Sequence, residues 1–240
     1  MKNGPVFFLG LLAAIAISWA GVVLGSHRQI GSLPAYFDET QGQAFPRRAG
    51  GLAARGQLVY ADLGCAACHT QQVRRPDFGS DQARGWGERQ SVARDYINQV
   101  SPQLGASRFG PDLTNFGARI QKTENAAETI YNLLYNGSTN HPAYKFLFEN
   151  ESIVGQRSAT AMNVSGLAAG YQVVPTERAQ SLVAHLLSLN TPYDFPESIP
   201  VAKPAVPAAA AAAGPAPAKI PVTPVPAAGP DEKKTQETKK

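Results

Sequence analysis

Cysteine and methionine are scarce in this chain, which limits both its disulfide and its metal chemistry. The 240 residues include two cysteines, Cys65 and Cys68, and two methionines. A disulfide-rich scaffold is therefore excluded, because such folds depend on several bridges. A closed zinc site is disfavoured as well, since it needs four ligands and the histidines beyond His69 are widely scattered.

Clustered charge is also lacking. The chain has 22 Lys and Arg against 18 Asp and Glu, a formal net charge of +4. The basic residues are spread along the sequence, with no block of the kind that binds nucleic acid. We therefore expect no nucleic-acid partner.

The N-terminal region has no charged residue between Lys2 and Arg28. Its apolar run covers residues 4–24, and about twenty residues of helix span a bilayer core of roughly 30 Å. A cleaved signal peptide is the alternative, with a small-residue cleavage site at Ser18-Trp19-Ala20. Because the run continues past that site, residues 1–25 are predicted to form one transmembrane anchor.

The two cysteines belong to one pentapeptide, Cys65-Ala66-Ala67-Cys68-His69. Cys-x-x-Cys-His is the attachment signature of c-type haem, in which both thiols bind the haem covalently and the histidine binds the iron. A redox dithiol would require a thioredoxin-like βαβ pattern, which the sequence does not show. A disulfide between Cys65 and Cys68 is a further alternative. The motif favours one covalent haem c, with His69 as an iron ligand.

The segments around this motif alternate between connectors and helices. Residues 26–50 are predicted to be an extended connector whose aromatic residues contact either the domain's own core or a partner or membrane surface. Residues 51–62 are predicted to form the helix that leads to Cys65. Further helices are predicted over residues 91–100, 125–136 with Ile130, Leu133 and Leu134 inward, and 176–190 with Thr176 as N-cap.

Two stretches of sequence carry a resemblance to a known family. They are Gly56-Gln57-Leu58-Val59-Tyr60 and Gly64-Cys65-Ala66-Ala67-Cys68-His69-Thr70-Gln71-Gln72-Val73-Arg74. They resemble the mono-haem cytochrome subunit (CcoO type, subunit II) of cbb-type cytochrome c oxidases, the C-family haem–copper oxidases. The resemblance extends from the anchor to about Asn190. It implies an all-α, cytochrome c-like domain over residues 51–199.

The resemblance also implies a function and a location. The chain would relay electrons through one haem c to a haem–copper catalytic subunit that reduces dioxygen, beside a further cytochrome c subunit. Because haem c is attached outside the bacterial cytoplasm, the haem domain would lie on the periplasmic side of the inner membrane. The small cytochrome subunit of a nitric oxide reductase and a haem-based sensor are the alternative functions.

Two residues near the motif are candidates to support the haem. By resemblance, the Pro111 carbonyl in Gly110-Pro111-Asp112-Leu113 accepts a hydrogen bond from the Nδ1–H group of His69. Without the resemblance, the same residues predict only a turn. Arg74, the arginine nearest to the motif, is the candidate partner for a haem propionate, because a guanidinium group matches a carboxylate.

The second axial ligand has three candidate assignments. The family places a methionine before Pro-x-Tyr, whereas this chain has His141-Pro142-Ala143-Tyr144, without a gap from the Gly110 stretch. The resemblance therefore implies His141, and a bis-histidine haem would have a lower potential than a His/Met haem. Met162 is the rival ligand, and an open site is the third alternative.

Two regions are predicted to lie away from the iron. The first and last helices of cytochrome c folds cross, so the resemblance implies that the last helix packs on the helix of residues 51–62. His185, on that last helix, is therefore interpreted as a packing residue. Residues 200–240 alternate between alanine and proline before a polar end. Dense proline prevents a continuous helix, so this segment is predicted to be a disordered tail.

Overall fold

The computed structural model describes residues 3–199. Helices α1 (Gly4–Trp19) and α2 (Gly25–Ile30) are joined by a π-helical stretch, Ala20–Leu24, into one helix of 27 residues, which contains an 18-residue window with mean hydropathy 2.4. Within the described residues it is the one helix long and apolar enough to cross a membrane. The predicted tail, residues 200–240, lies outside the described part of the chain.

The predicted connector contains a small hairpin. Strand β1 (Tyr36–Asp38) pairs antiparallel with β2 (Gln43–Phe45), and Tyr36 lies opposite Phe45. The Phe45 ring is fully buried and stacks on Tyr193 with a centroid separation of 4.5 Å. Tyr36 packs edge-on against Phe195, while Phe37 is exposed. Of the alternatives for these aromatics, packing on the domain itself therefore holds for Tyr36 and Phe45.

Three predicted helices are confirmed around the core. They are α3 (Gly51–Asp62), α5 (Ala126–Asn136) and α6 (Glu177–Ser188), with the short α4 (Phe116–Ile120) before α5. The Thr176 hydroxyl accepts a hydrogen bond from the Ala179 amide and caps α6, as predicted. Helix α5 ends at Gly137, whose φ of 69° suits glycine.

Helices α3 and α6 cross in direct backbone contact, as predicted. A Cβ atom added to Gly56 would lie 1.8 Å from the Ser181 carbonyl oxygen and 2.6 Å from the His185 Cβ. Glycine therefore permits the two helices to approach this closely. Two salt bridges, Arg55–Glu177 and Arg178–Asp62, also join α3 to α6.

The all-α prediction is wrong in one respect, because the domain also contains β-structure. Besides the β1–β2 hairpin, strand β3 (Phe148–Ser152) pairs antiparallel with β4 (Tyr171–Pro175). Strand β4 carries two adjacent β-branched residues and ends in Pro175, which cannot continue a helix interior. The pairing buries Val173 completely and most of Phe148.

The helix predicted over residues 91–100 is also wrong. The structure has only a 3₁₀ turn there, Ala93–Tyr96. The Ser91 hydroxyl accepts a hydrogen bond from the Val73 amide at 2.9 Å instead of capping a helix. The Asp95 carboxylate binds the Val92 amide and the Arg89 guanidinium. The backbone makes three-residue hydrogen bonds here, from the amides of Asp95, Ile97 and Gln99 to the carbonyls of Val92, Arg94 and Tyr96, in place of the four-residue bonds of an α-helix.

The hydrophobic core lies among α3, α5, α6 and the β3–β4 hairpin. Ile130 and Leu134 of α5 are buried as predicted, whereas Leu133 is 40% exposed, so its predicted inward position is wrong. Leu133 lies at the edge of the stripe that residues four apart share on a helix. The buried core residues are Tyr60, Leu113, Ile130, Leu134, Leu147, Phe148, Met162, Val173, Ala179, Leu182, Val183 and Leu186.

His185 is a packing residue, as predicted. Its side chain is buried on α6, and its ring lies 5.5 Å from the Tyr60 ring. Its Nε2 atom lies 3.4 Å from the amide nitrogen of Gln71. Burial lowers the pKa of His185 to about 4, so the ring stays neutral in the folded protein at neutral pH.

This buried histidine should make stability fall in mild acid. A histidine in the unfolded chain has a pKa of about 6.5. Below that pH the unfolded chain binds a proton at this residue, whereas the buried ring of folded His185 stays neutral. The contribution of the neutral His185 ring to the free energy of unfolding is complete above about pH 6.5. It declines between pH 6.5 and pH 4, with a total loss of about 3 kcal/mol. Urea unfolding of the full chain in detergent at several pH values should show His185→Gln losing less stability on acidification than the unmodified chain.

The exposed His27 provides the control for this measurement. His27→Gln also removes one histidine, but from an exposed position on the anchor helix, and it should leave the pH dependence of stability unchanged. An identical acid loss in the His185→Gln variant and the unmodified chain would show that His185 is not the responsible group.

Candidate haem centre

The cysteines and His69 lie on a single tight turn directly after α3. Gly64 adopts a left-handed conformation with φ of 70°, and a 3₁₀ turn follows over Cys65–Ala67. The amides of Cys68 and His69 both donate to the Cys65 carbonyl, at 3.1 and 3.0 Å. The turn therefore presents two thiols and one imidazole from adjacent positions.

The cysteines are free thiols in the structure. Cys65 is half-buried and Cys68 is exposed. Burial, with a smaller contribution from the nearby Cys68, raises the pKa of the Cys65 thiol to about 11. A redox-active cysteine pair normally needs a lowered thiol pKa, so Cys65 does not have the environment of a thioredoxin-type nucleophile.

The His69 ring is held by the segment around Pro111. Its Nδ1–H group donates to the Pro111 carbonyl at 2.8 Å, which is the contact that the resemblance implied. The ring lies against Gly110, where an added Cβ would approach Cε1 to 2.2 Å and Nδ1 to 2.6 Å. Because Nδ1 is engaged, Nε2 is the nitrogen of His69 left to bind a metal.

A second imidazole faces the first. The ring centroids of His69 and His141 are 6.3 Å apart, and the ring planes are inclined by 49°. The turn after α5 places His141, since the Ser138 amide donates to the His141 carbonyl at 2.8 Å and the Gly137 backbone is packed against that turn. The structure therefore brings together two side chains that lie far apart in the sequence.

His141 is in a state suited to metal binding. Its Nδ1 atom is buried and has no hydrogen-bond partner among the described residues. Burial lowers the pKa of His141, and the nearby His69 lowers it further. The ring is therefore neutral at neutral pH, which is the form of imidazole that binds metals.

Met162, the rival ligand, lies in the hydrophobic core. Met162 is 4% exposed. Its backbone forms a β-bridge with Val173, in which the Met162 amide donates to the Val173 carbonyl at 2.9 Å. Partly buried Cys65 and Tyr144 pack against the same cluster. Met162 is therefore a core residue, and its role as an iron ligand stays a prediction.

Arg74 differs from two arginines that the sequence analysis did not single out. Arg74 is exposed, and its backbone amide donates to Asp81 at 2.7 Å. The Arg108 guanidinium is largely buried and contacts Asp81 and the Gln72 carbonyl, while Arg119 donates to the Asp112 carbonyl. Spacing alone could not rank these arginines, and a propionate partner at Arg74 stays a prediction.

The sequence analysis also missed how residues 104–114 run beside the haem motif. The amides of Ala106 and Gly110 donate to the carbonyls of Ala66 and Cys68, at 2.8 and 2.9 Å. Asp112 is fully buried in this segment. The Gly-Pro-Asp sequence was a usable signal, because a carboxylate that follows such a turn can bind neighbouring backbone amides.

Comparison with known families identifies the group to which this arrangement belongs. Among residues 3–199, no group of three or more His, Cys, Asp or Glu side chains is placed to hold a bare metal ion. A search of curated proteins found no match. Residues 4–190 match the family described as cytochrome c oxidase, mono-heme subunit/FixO, a span that includes the anchor helix, the Cys65–His69 motif and His141. The chain therefore belongs to the FixO family of mono-haem subunits of cytochrome c oxidase.

Proposed function

We propose that this chain is the electron relay of a respiratory terminal oxidase. It would carry one haem c, bound covalently through Cys65 and Cys68, with His69 and His141 as the two axial ligands of the iron. The electrons would pass to the haem–copper catalytic subunit that reduces dioxygen. The observation that carries the site assignment is the separation of 6.3 Å between the ring centroids of His69 and His141.

The spacing of the imidazoles fits ligation of a single metal. Two imidazoles bound from opposite faces, with metal–nitrogen bonds of roughly 2.0–2.1 Å, have ring centroids about 6.4 Å apart. The observed separation of 6.3 Å agrees with this value. The two thiols on the turn beside His69 are the groups that covalent attachment of haem c requires.

The residues of the chain would hold the group and set its properties. When bound, haem c supplies an iron that alternates between ferrous and ferric forms and so carries one electron. The Pro111 carbonyl would fix the His69 ring by accepting a hydrogen bond from its Nδ1–H group, which increases the basicity of Nε2. Gly110 leaves room for that ring, and His141 stays neutral and able to bind.

The remaining features support a membrane-bound relay. The helix of residues 4–30 would anchor the chain, and its large apolar side chains are exposed as they would be toward lipid or a membrane partner. Because haem c is attached outside the bacterial cytoplasm, the domain would face the periplasm. The chain would act as an oxidoreductase only within the oxidase complex, between a further cytochrome c subunit and the catalytic subunit.

One alternative ligand has a structural observation in its favour. Met162 belongs to the same buried cluster against which Cys65 and Tyr144 pack. A His69/Met162 haem would have a higher potential than a bis-histidine haem. Membership of the oxidase family favours the oxidase over a nitric oxide reductase.

The relay function can be tested in the assembled complex. The full chain, exported and matured with its oxidase, should carry one haem that resists acid–acetone extraction and should co-purify with a copper-containing subunit. The double variant Cys65→Ala/Cys68→Ala should carry no covalent haem, and the complex should lose nearly all oxygen consumption from a reduced cytochrome donor. Mass spectrometry and an oxygen electrode provide the two measurements.

Ser32→Ala is a suitable control, because it changes a small, exposed polar side chain outside the site. It should retain both the haem and the activity. Oxygen consumption at the normal rate by an assembled complex with the double cysteine variant would contradict the proposed relay.

A further inference from the structure

Asp112 is a fully buried carboxylate whose oxygens are bound to the segment that follows His69. Its Oδ2 atom accepts hydrogen bonds from the Thr70 hydroxyl at 2.6 Å and the Gln72 amide at 2.8 Å. Its Oδ1 atom accepts from the Thr114 amide at 2.9 Å. Arg108 lies 3.7 Å from Oδ2. A buried carboxylate is costly unless it is bound in this way, so these partners fix its position.

These contacts lie directly beside the hydrogen bond between His69 and Pro111. Thr70 follows His69 in the chain and Asp112 follows Pro111, so the side-chain pair repeats the same link one residue further along. The Leu113 amide also donates to the Thr70 carbonyl, at 2.8 Å. The two segments are therefore fastened together next to the imidazole.

On the other side of the imidazole, the segments are fastened by backbone contacts. The Gly110 amide donates to the Cys68 carbonyl at 2.9 Å. The His69–Pro111 hydrogen bond thus lies between a backbone link and the Thr70–Asp112 link. Of these two links, only the one between Thr70 and Asp112 is made by side chains, so it is the one that a substitution can change.

We propose that Thr70 and Asp112 form a positioning pair that holds the Pro111 carbonyl in hydrogen-bond contact with His69. In this way the pair sets the reduction potential of the haem. The inference rests on the proposed haem site. Neither side chain touches the iron, and both act through the imidazole. A strong Nδ1–H···O bond makes the histidine a more basic ligand, which favours ferric iron. Weakening the Thr70–Asp112 link should therefore raise the midpoint potential.

The test uses Thr70, because changing it leaves the buried charge of Asp112 in place. Thr70→Val keeps the volume but removes the hydroxyl donor, whereas Thr70→Ser keeps the donor. In the ferrous, haem-loaded full chain, NMR should show the His69 Nδ1 proton exchanging about tenfold faster in Thr70→Val, as expected for the loss of one buried hydrogen bond. A redox titration should show a higher midpoint potential for the same variant.

The controls separate this effect from general destabilisation. Thr70→Ser should match the unmodified chain, and so should Thr129→Val, which removes an exposed hydroxyl on α5. If Thr70→Val keeps its low-spin haem but exchanges and titrates like the unmodified chain, the positioning role is overturned. A full chain that matures without covalent haem would instead overturn the proposed function.

Discussion

His141→Met should raise the midpoint potential of the haem by on the order of 100 mV. The proposed site binds the iron through two imidazoles, and their ring centroids are 6.3 Å apart. A thioether favours ferrous iron more than an imidazole does, so replacing one imidazole with methionine shifts the equilibrium toward reduction. Redox titration followed by visible absorption measures the shift, and a methionine-to-iron charge-transfer band should appear in the ferric spectrum.

His27 provides the matched control, since it is an exposed histidine at the end of the anchor helix. His27→Met should leave both the potential and the spectrum unchanged. An unchanged midpoint potential in His141→Met would show that His141 is not an iron ligand. A loss of the ligand spectrum in Met162→Leu would then assign the second position to Met162.

Gly110→Ala should abolish most of the correctly ligated haem. The added methyl group would lie 2.2 Å from Cε1 and 2.6 Å from Nδ1 of His69, so the ring or the Pro111 segment must move. Such overpacking typically costs about 1–3 kcal/mol even after relaxation, and here relaxation separates His69 from Pro111. We expect most chains to lack covalent haem or to contain high-spin ferric haem, as measured by mass spectrometry and electron paramagnetic resonance.

Gly50→Ala tests whether an added methyl group is harmful in itself. Gly50 precedes α3 in an extended conformation, and a Cβ there meets nothing within 4 Å. This variant should mature normally. A Gly110→Ala chain with a full complement of low-spin haem would show that His69 does not depend on the close packing against Gly110.

Features with a local cause could be predicted from the sequence. Helix α6 has a threonine cap at its start and an apolar stripe with helical spacing, and α5 ends where Gly137 supplies a positive φ. The haem motif is likewise a single short turn, so its residues are adjacent in both sequence and space. The crossing of α3 and α6 was predicted only with the help of the resemblance. In the structure, the absence of a side chain at Gly56 permits it.

Features that depend on contacts between distant segments were not predictable in the same way. The segment after Ser91 has the composition of a short helix, but the Val73 amide, from a distant segment, takes up the Ser91 hydroxyl that would have capped it. The buried state of Asp112 depends on Thr70, which belongs to another segment. The opposition of His69 and His141 was implied by the resemblance, and the geometry of that pair came from the fold.

The most direct test of the account is near-infrared magnetic circular dichroism of the ferric, full-length chain. This spectrum distinguishes axial ligand pairs by the position of one charge-transfer band. The account predicts a low-spin haem with the band at the bis-imidazole position, because His69 and His141 face each other across 6.3 Å. A band at the longer-wavelength position of a His/Met haem would contradict it and place Met162 on the iron.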